Sequence, residues 1–421
     1  MSSLSKPRET ALKALVSCEK DGAYLNISLR DLLSSSEMDP RDSALAVNIA
    51  FGVMKHRLFL DNIIANISSV KIKKISVWIL NILRIGIFEL RFLDRIPNSA
   101  TVNECVRLAR RYGHKASGGF VNAVLRSAIT SGDFLPDDTS SDEYISLKHS
   151  MPLWLVELWR EQGHCDELFS AMNLTPPVTV RLNTLRGDNP GEGFEKSRDS
   201  EFSYKFVGSG SVENTPSYKN GIVTVQDGAS QKAICAFSPQ KGARVLDLCS
   251  APGGKTAFMA QLMENTGEII SCDIHPHKLS LIEKNLSRLG VTNTRVCLSD
   301  ATLENKDFIN SFDAVLADVP CSGLGVIRRK SDIKWTKSQD DTKELTKLQR
   351  EIVLNAVKYV KRGGRLMYST CTINKSENED NALWITQNFP DFVLLSQKQL
   401  MPHTDGTDGF YYAIFERKKE I

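Results

Sequence analysis

The sequence predicts a multidomain protein whose C-terminal half is an α/β domain, and three observations lead to this fold class. The chain has 421 residues, too many for one ordinary domain. Residues 1–130 show helical periodicity with almost no glycine-rich breaks, whereas short apolar strands alternate with helical patterns from residue 243 onward. A polar, acidic stretch rich in Pro, Gly and Ser, residues 130–144, is the best linker candidate.

The first two regions are predicted from their periodicity. In residues 1–130, segments such as KKISVWILNILRIGIFELRFL have apolar residues every three or four positions, which predicts an all-helical domain. Residues 145–235 predict a small α+β segment, because PPVTVRLNTLRG and GIVTVQDGASQ show β-branched alternation. The polar stretch GDNPGEGFEKSRDSEFSYK between them is expected to form a long surface loop.

Residues 236–421 predict a doubly wound α/β domain. The strand-like segments ARVLDLC, GEIISCD, TRVCLSD, FDAVLADVP and GGRLMYSTC are separated by helical patterns such as LTKLQREIVLNAVKYV. Such alternation is typical of a parallel sheet with helices on both faces. Ligands of these sheets bind at the carboxyl ends of the strands.

Composition narrows the class of protein. With 41% hydrophobic and 24% charged residues and no apolar run long enough for a bilayer span or a secretion signal, we expect a cytoplasmic protein without a membrane partner. The nine cysteines form no CxxC pair, so no metal site is expected. The net charge of +3 is small, so a nucleic-acid surface would be local. Nothing demands a second copy, and we expect a monomer.

The stretch VLDLCSAPGGKTAFMAQLM, residues 245–263, contains a Gly-Gly-Lys-Thr run like the end of a phosphate-binding P-loop. A P-loop needs a further glycine five positions before Gly254, and Cys249 stands there instead. The stretch therefore predicts a strand, a tight turn and a helix N-terminus that bind a different ligand.

Acidic residues close four of the predicted strands: Asp247, Asp273, Asp300 and Asp318. The spacing from Asp247 to Asp273 is close to that at which an acidic side chain accepts hydrogen bonds from a ribose. A carboxylate there would repel a pyrophosphate but tolerates a sulfonium cation. A single Asp is more often a helix cap, but four at strand ends favour a site for a cationic adenosine ligand.

Two cysteines also follow strands, Cys321 in ADVPCSG and Cys371 in MYSTCT. Thiolate addition at C6 of a pyrimidine makes C5 nucleophilic toward a methyl donor, and loss of the C5 proton then expels the sulfur. Asp318 could hydrogen-bond the edge of a cytosine that has left its stack. For one cysteine alone, burial as a small apolar residue is the better interpretation; two at neighbouring strand ends favour chemistry. These residues leave open which cysteine is the nucleophile.

The order of motifs resembles the RsmB (Sun/Fmu) branch of the Sun family of ribosomal RNA cytosine-C5 methyltransferases. The segments that carry the resemblance are DLCSAPGGKT, CDIH, SDA, DVPCSGLGVIRRKSDIKW, YSTCT and DGTDGFYYAIF. Residues 84–126 resemble a NusB-type RNA-binding helical domain, so the resemblance covers nearly the whole chain. It implies a NusB-like domain at 1–130, an RNA-binding α+β segment at 145–235 and a Rossmann-like methyltransferase domain at 236–421.

The resemblance also implies roles for individual residues. Asp273 would bind the ribose of S-adenosylmethionine, Asp300 would lie near the adenine, and Asp318 would lie at the methionine and catalytic end. Cys371 would be the nucleophile, and Cys321 would help to release the product. The implied cofactor loop consists of Cys249, Ser250, Ala251, Pro252, Gly253, Gly254 and Lys255.

Basic residues follow the Cys321 loop: Arg328, Arg329, Lys330 and Lys334. Phosphates that flank a flipped cytosine are expected near them, although a solvated basic loop is the alternative. Small-subunit (16S) ribosomal RNA is the expected substrate, and transfer RNA fits the same catalytic motifs. A non-catalytic RNA-binding or antitermination factor would not need Cys321, Cys371 and Asp318. A DNA methyltransferase would need a large target-recognition insertion, which the motifs lack.

Overall fold

The computed structural model describes residues 5–419, which form two compact units. The first contains residues 5–173 and the segment Lys330–Thr336. The second contains Leu174–Arg329 and residues 337–419. Within the described range, no helix is both long enough and apolar enough to cross a membrane.

The first unit is helical, as the periodicity of residues 1–130 predicts. The central helix, α5 Val77–Phe92, is apolar almost all round. Its N-terminus is capped by Ser76, whose side chain accepts a hydrogen bond from the N–H of Ile79. A helix of that kind must be buried on every side, and it lies in the core of the unit. The helices are α1 Lys6–Asp21, α2 Leu25–Ser34, α3 Pro40–Lys55, α4 Arg57–Ile67, α5 Val77–Phe92, α6 Asn98–Tyr112, α7 Ser117–Thr130, α8 Asp142–His149, α9 Leu153–Glu161 and α10 Asp166–Met172, with the short α15 Ile333–Thr336 from the second segment.

The division between the units does not fall at the polar stretch 130–144. Residues 131–141 contain no helix or strand, but α8 after them packs against α4. The side chain of Ser150 accepts a hydrogen bond from the N–H of Leu58 at 2.8 Å and so satisfies one of the unpaired backbone donors at the start of α4. Residues 145–173 therefore belong to the helical unit, and the expected separate segment begins only at residue 174.

The second unit begins with a small antiparallel sheet of order β2-β3-β1-β4. The stretch 187–205, expected to be a long loop, instead forms a hairpin. Phe194 pairs with Phe206 across this hairpin, with ring centroids 5.3 Å apart, and such aromatic cross-strand pairs stabilise short strands. Strands of three or four residues are too short to show periodicity. They are β1 Thr179–Leu182, β2 Phe194–Lys196, β3 Ser203–Phe206 and β4 Val223–Val225.

A seven-stranded sheet follows, with the order β10-β11-β9-β8-β5-β6-β7. Strands β5 to β9 are mutually parallel, which agrees with the predicted doubly wound domain. The last two strands pair antiparallel at one edge, an addition that the alternation pattern did not predict. The strands are β5 Arg244–Asp247, β6 Glu268–Asp273, β7 Thr294–Leu298, β8 Phe312–Asp318, β9 Val360–Thr370, β10 Phe392–Leu400 and β11 Phe410–Arg417.

The strand order fixes where a ligand can bind. From β5 the chain runs to β6 and β7 at one edge, and then crosses back to β8 on the other side of β5. Neighbouring strands whose connections leave in opposite directions open a crevice at their carboxyl ends. Apolar clusters cover the sheet on both faces. The helices of this unit are α11 Pro216–Lys219, α12 Gly228–Phe237, α13 Gly254–Leu262, α14 Pro276–Leu289, α16 Gln339–Tyr359, α17 Glu379–Asn388 and α18 Pro402–Asp405.

Candidate active site

The loop after β5 is a tight turn that leads directly into α13. Ser250 donates from both its backbone N–H and its hydroxyl to the carbonyl of Cys272, at 2.8 and 2.9 Å. The N–H of Gly253 donates to the carbonyl of Ser250 at 2.6 Å. Gly253 has φ +93°, a conformation that side-chain-bearing residues rarely adopt, so glycine is needed here. The turn thus places the free N–H groups of the α13 N-terminus at the carboxyl end of β5.

Asp247 supports this loop from below. It is fully buried, and the hydroxyl of Thr256 donates to its Oδ2 at 2.6 Å, which ties the first turn of α13 to the end of β5. Burial raises the pKa of Asp247 to about 7, and the nearby charge of Asp318 adds to that increase. Asp247 therefore stabilises the loop, and because it is fully buried it cannot contact a ligand as the other strand-end acidic residues could.

Asp273 and Asp300 follow the adjacent strands β6 and β7. Oδ1 of Asp273 accepts from the N–H of His275 at 2.9 Å. Oδ1 of Asp300 accepts from the N–H and the hydroxyl of Thr302 at 2.9 and 2.7 Å. In both side chains Oδ2 accepts no hydrogen bond from residues 5–419, so a carboxylate oxygen is left for hydroxyl or amine donors of a ligand.

Asp318 forms an ion pair at the end of β8. Its Oδ2 lies 2.7 Å from Nζ of Lys255, and its Oδ1 accepts from the hydroxyl of Ser369 at 2.8 Å. Burial by itself would lower the pKa of Lys255, but Asp318 and, to a smaller extent, Cys371 raise it. Lys255 therefore remains an ammonium ion beside both groups, whereas the sequence had placed it only in the cofactor loop.

The two strand-end cysteines lie next to each other. Because β8 and β9 are neighbours, Sγ of Cys321 lies 3.2 Å from Sγ of Cys371. The N–H of Cys371 also donates to Sγ of Cys321 at 3.3 Å. The pKa of Cys321 is raised well above its usual value by its hydrogen bond to Cys371, by burial and by the nearby charge of Glu377. The raised pKa favours the thiol form of Cys321, and either sulfur can be the donor in the contact between them.

The basic residues after Cys321 are not arranged as expected. Lys334 is 1% exposed, and its Nζ donates to the carbonyls of Lys55 and Ser150 at 2.7 and 2.6 Å. Burial and then Lys55 lower its pKa well below the usual value, so it is not a phosphate ligand.

The two arginines are also engaged. Arg328 is buried, and its Nε donates to Asp408 at 2.7 Å. Arg329 forms ion pairs with Asp408 and Asp227. Of the four basic residues, Lys330 is the one that is exposed. Carboxylates that are distant in sequence neutralise these arginines, and no local pattern indicates such pairs.

Sequence reasoning missed a set of buried polar residues beneath the cysteines. Glu377 is 0% exposed and accepts hydrogen bonds from Ser322 and Gln349. The available signal was that Glu377 closely follows Cys371 in TCTINKSENE, although nothing in that order indicates burial.

Comparisons with known proteins identify both parts of the chain. A model of the NusB family matches residues 5–130, and a model described as 16S rRNA methyltransferase RsmB/F matches residues 234–416. The probable ribosomal RNA small subunit methyltransferase B of Bacillus subtilis is 34% identical, in an alignment that covers 98% of this chain and 98% of that one. The chain belongs to the RsmB/F methyltransferase family.

Other relatives of this RsmB/F methyltransferase give the same result. The ribosomal RNA small subunit methyltransferase B of Pseudomonas syringae pv. tomato is 31% identical and covers 97% of this chain and 96% of its own. The crystal structure of a methyltransferase homolog from Pyrococcus horikoshii is 28% identical, with a TM-score of 0.59, and covers 66% of this chain and 99% of that one. The predicted fold class, a NusB-like helical domain before a methyltransferase domain, is confirmed.

Proposed function

We propose that this RsmB/F methyltransferase methylates C5 of a specific cytosine in small-subunit (16S) ribosomal RNA through a covalent Cys371 adduct. The observation that supports this proposal best is the site itself, where two thiols lie 3.2 Å apart beside the Lys255–Asp318 ion pair. RNA is the substrate named for the relatives, and the choice of the small-subunit RNA follows them. Transfer RNA remains the second candidate.

The residues of the site fit S-adenosylmethionine as the cofactor. The loop Cys249–Lys255 would hold its methionine part, and Asp273 and Asp300 each have a carboxylate oxygen for its ribose hydroxyls and adenine amine. A Cβ added to Gly254 would meet no described atom within 4 Å, so this loop borders open space. When bound, the cofactor supplies an electrophilic methyl group.

The side chains of the chain can prepare and release the base. The ammonium of Lys255 and the thiol of Cys321 both stabilise negative charge on Cys371, which favours the thiolate that adds to C6 of the cytosine. Asp318 can accept a hydrogen bond from the exocyclic amine of that base. After a solvent water takes the C5 proton, the electrons of the C5–H bond form the C5=C6 double bond and the C6–S bond breaks, which leaves Cys371 as a thiolate. The S–H of Cys321 can then donate to the departing thiolate.

RNA recognition is proposed for three regions: the helical domain 1–130, the segment 145–235, of which residues 145–173 belong to the helical unit, and the exposed Lys330. The catalytic domain would span 236–421. With Arg328 and Lys334 buried and Arg329 paired with Asp227 and Asp408, phosphate contacts near the catalytic loop fall to Lys330.

The test is methyl transfer from labelled S-adenosylmethionine to unmethylated small-subunit ribosomal RNA. We expect Cys371→Ala to lose activity and to form no denaturant-stable protein–RNA adduct, whereas Cys321→Ala accumulates one. The matched control is Cys165→Ala, an exposed cysteine of the helical unit, which should behave as wild type. Labelling of transfer RNA alone would contradict the substrate, and adduct formation by Cys371→Ala would contradict the role of this cysteine.

A further inference from the structure

A buried carboxylate bonds to residues of the two loops that carry the cysteines. Glu377, in the short 3-10 turn Lys375–Glu377, is 0% exposed. Its Oε2 accepts from the N–H of Ser322 at 2.9 Å and from Nε2 of Gln349 at 3.0 Å. Its Oε1 accepts from the hydroxyl of Ser322 at 2.5 Å and from Nδ2 of Asn374 at 3.1 Å. No Lys or Arg among residues 5–419 forms a salt bridge with Glu377, so these four donors compensate its desolvation.

The four donors come from the segments that surround the cysteines. Ser322 directly follows Cys321, and Asn374 lies three residues after Cys371. Gln349, on α16, also donates to the carbonyl of Pro320, directly before Cys321. A single carboxylate therefore connects the loop after β8 with the loop after β9.

A direct bond between the two loops completes this arrangement. The hydroxyls of Ser322 and Thr372, one residue after each cysteine, lie 2.8 Å apart. Because each loop is bonded both to Glu377 and to the other loop, a shift of one cysteine relative to the other would break several buried hydrogen bonds together.

We infer that Glu377 is a positioning residue that holds Cys321 against Cys371 for release of the methylated base. This inference rests on the proposed roles of the two cysteines, whereas the network itself is a feature of the fold. Loss of the carboxylate leaves the N–H of Ser322 and the amides of Gln349 and Asn374 without their acceptors. Displacement of a catalytic group by about 1 Å can cost on the order of a hundredfold in rate.

The negative charge of Glu377 also favours release of the base, in addition to the positioning of the two loops. It disfavours a second anion at Cys321, after the larger effects of the hydrogen bond to Cys371 and of burial. Cys321 thus stays a thiol that can donate to the departing Cys371, so the release step depends more on Glu377 than the first addition does.

The experiment compares the amount of denaturant-stable RNA adduct with turnover in Glu377→Gln. Glutamine has the same shape but offers one acceptor oxygen and adds an N–H₂ group that faces donors. We expect turnover to fall by at least about tenfold while adduct accumulates, as in Cys321→Ala. The control Glu379→Gln changes a partly exposed carboxylate two residues further on and should leave both quantities unchanged.

Two further variants separate positioning from general support of the fold. The double variant Glu377→Gln with Cys321→Ala should be no slower than Cys321→Ala alone, because Glu377 acts through Cys321. Ser322→Ala removes one of the four donors and keeps the carboxylate, so it should show a smaller effect of the same kind. It serves as the test if Glu377→Gln does not fold.

Three results would overturn the inference. In the first, the two effects multiply in the double variant. In the second, adduct and turnover fall together in Glu377→Gln or in Ser322→Ala. In either of these cases, if Cys321→Ala accumulates adduct, the inference fails and the proposed function stands. In the third, Cys321→Ala itself accumulates no adduct, and then the proposed role of this cysteine fails together with the inference.

Discussion

Replacement of Asp247 by Asn should change how the stability of the catalytic unit depends on pH. Burial raises the pKa of Asp247 to about 7 in the folded protein, compared with about 3.9 for an unperturbed Asp. A raised pKa contributes stability that is fully present below about pH 4 and is lost as pH rises through 7. At about 1.4 kcal/mol per pH unit, wild type loses roughly 2–3 kcal/mol through this group between pH 5 and pH 8.

Asn keeps the acceptor for the hydroxyl of Thr256 and does not titrate. Any cost of its buried amide is the same at both pH values and cancels in the comparison. Urea denaturation of the full chain at pH 5 and pH 8 should therefore show the free energy of unfolding of Asp247→Asn improving relative to wild type by about 2–3 kcal/mol.

The matched control is Asp307→Asn, an exposed carboxylate of the same unit, which should show no such difference. Equal free-energy differences between Asp247→Asn and wild type at the two pH values would refute the reasoning, since they would mean that Asp247 titrates alike in the folded and unfolded chain.

Two further predictions concern the RNA surface and the catalytic loop. Lys330→Ala should weaken RNA binding a few-fold and lower the salt dependence of that binding, without a change in melting temperature. Lys334→Ala should lower the melting temperature of the helical unit, because two buried carbonyls lose their donor. Filter binding and thermal denaturation distinguish the two variants. If Lys334→Ala weakened RNA binding and Lys330→Ala lowered the melting temperature, the roles given to these two lysines would be wrong. Gly325→Ala should lower methyl transfer by about 100-fold, because a Cβ there would lie 2.0 Å from the carbonyl oxygen of Gly409 and 2.8 Å from that of Cys371, so the loop after Cys321 must move. Methyl transfer by Gly325→Ala at the wild-type rate would show that the loop tolerates the side chain.

The sequence was sufficient for features that depend on local order along the chain. Helical periodicity predicted the N-terminal helices, and the alternation of strands and helices predicted a sheet with its ligand edge at the strand ends. Asp273, Asp300 and Asp318 could be located there because each comes at or just after the end of a strand. The hairpin 194–206 was missed, since strands of three and four residues show no clear period.

Roles that depend on burial or on a distant partner could not be predicted in this way. The residues Arg328 and Lys334 have the same charge in the sequence as Lys330, but the fold pairs the first with Asp408 and buries the second. Likewise, Asp247 follows the same strand-end rule as Asp318, yet it lies under the loop and titrates near neutral pH.

The order of residues along the chain is enough to identify the chemical groups and the strand ends that carry them: two thiols, the acidic residues and a glycine turn. The tertiary structure decided which of these groups meet. Parallel strands β8 and β9 are joined through α16 and lie side by side, so residues 321 and 371 become neighbours, with their sulfurs 3.2 Å apart. The tertiary structure also decided which groups are charged, because burial and hydrogen bonds from residues distant in sequence raise the pKa of Cys321 and enclose the carboxylate of Glu377.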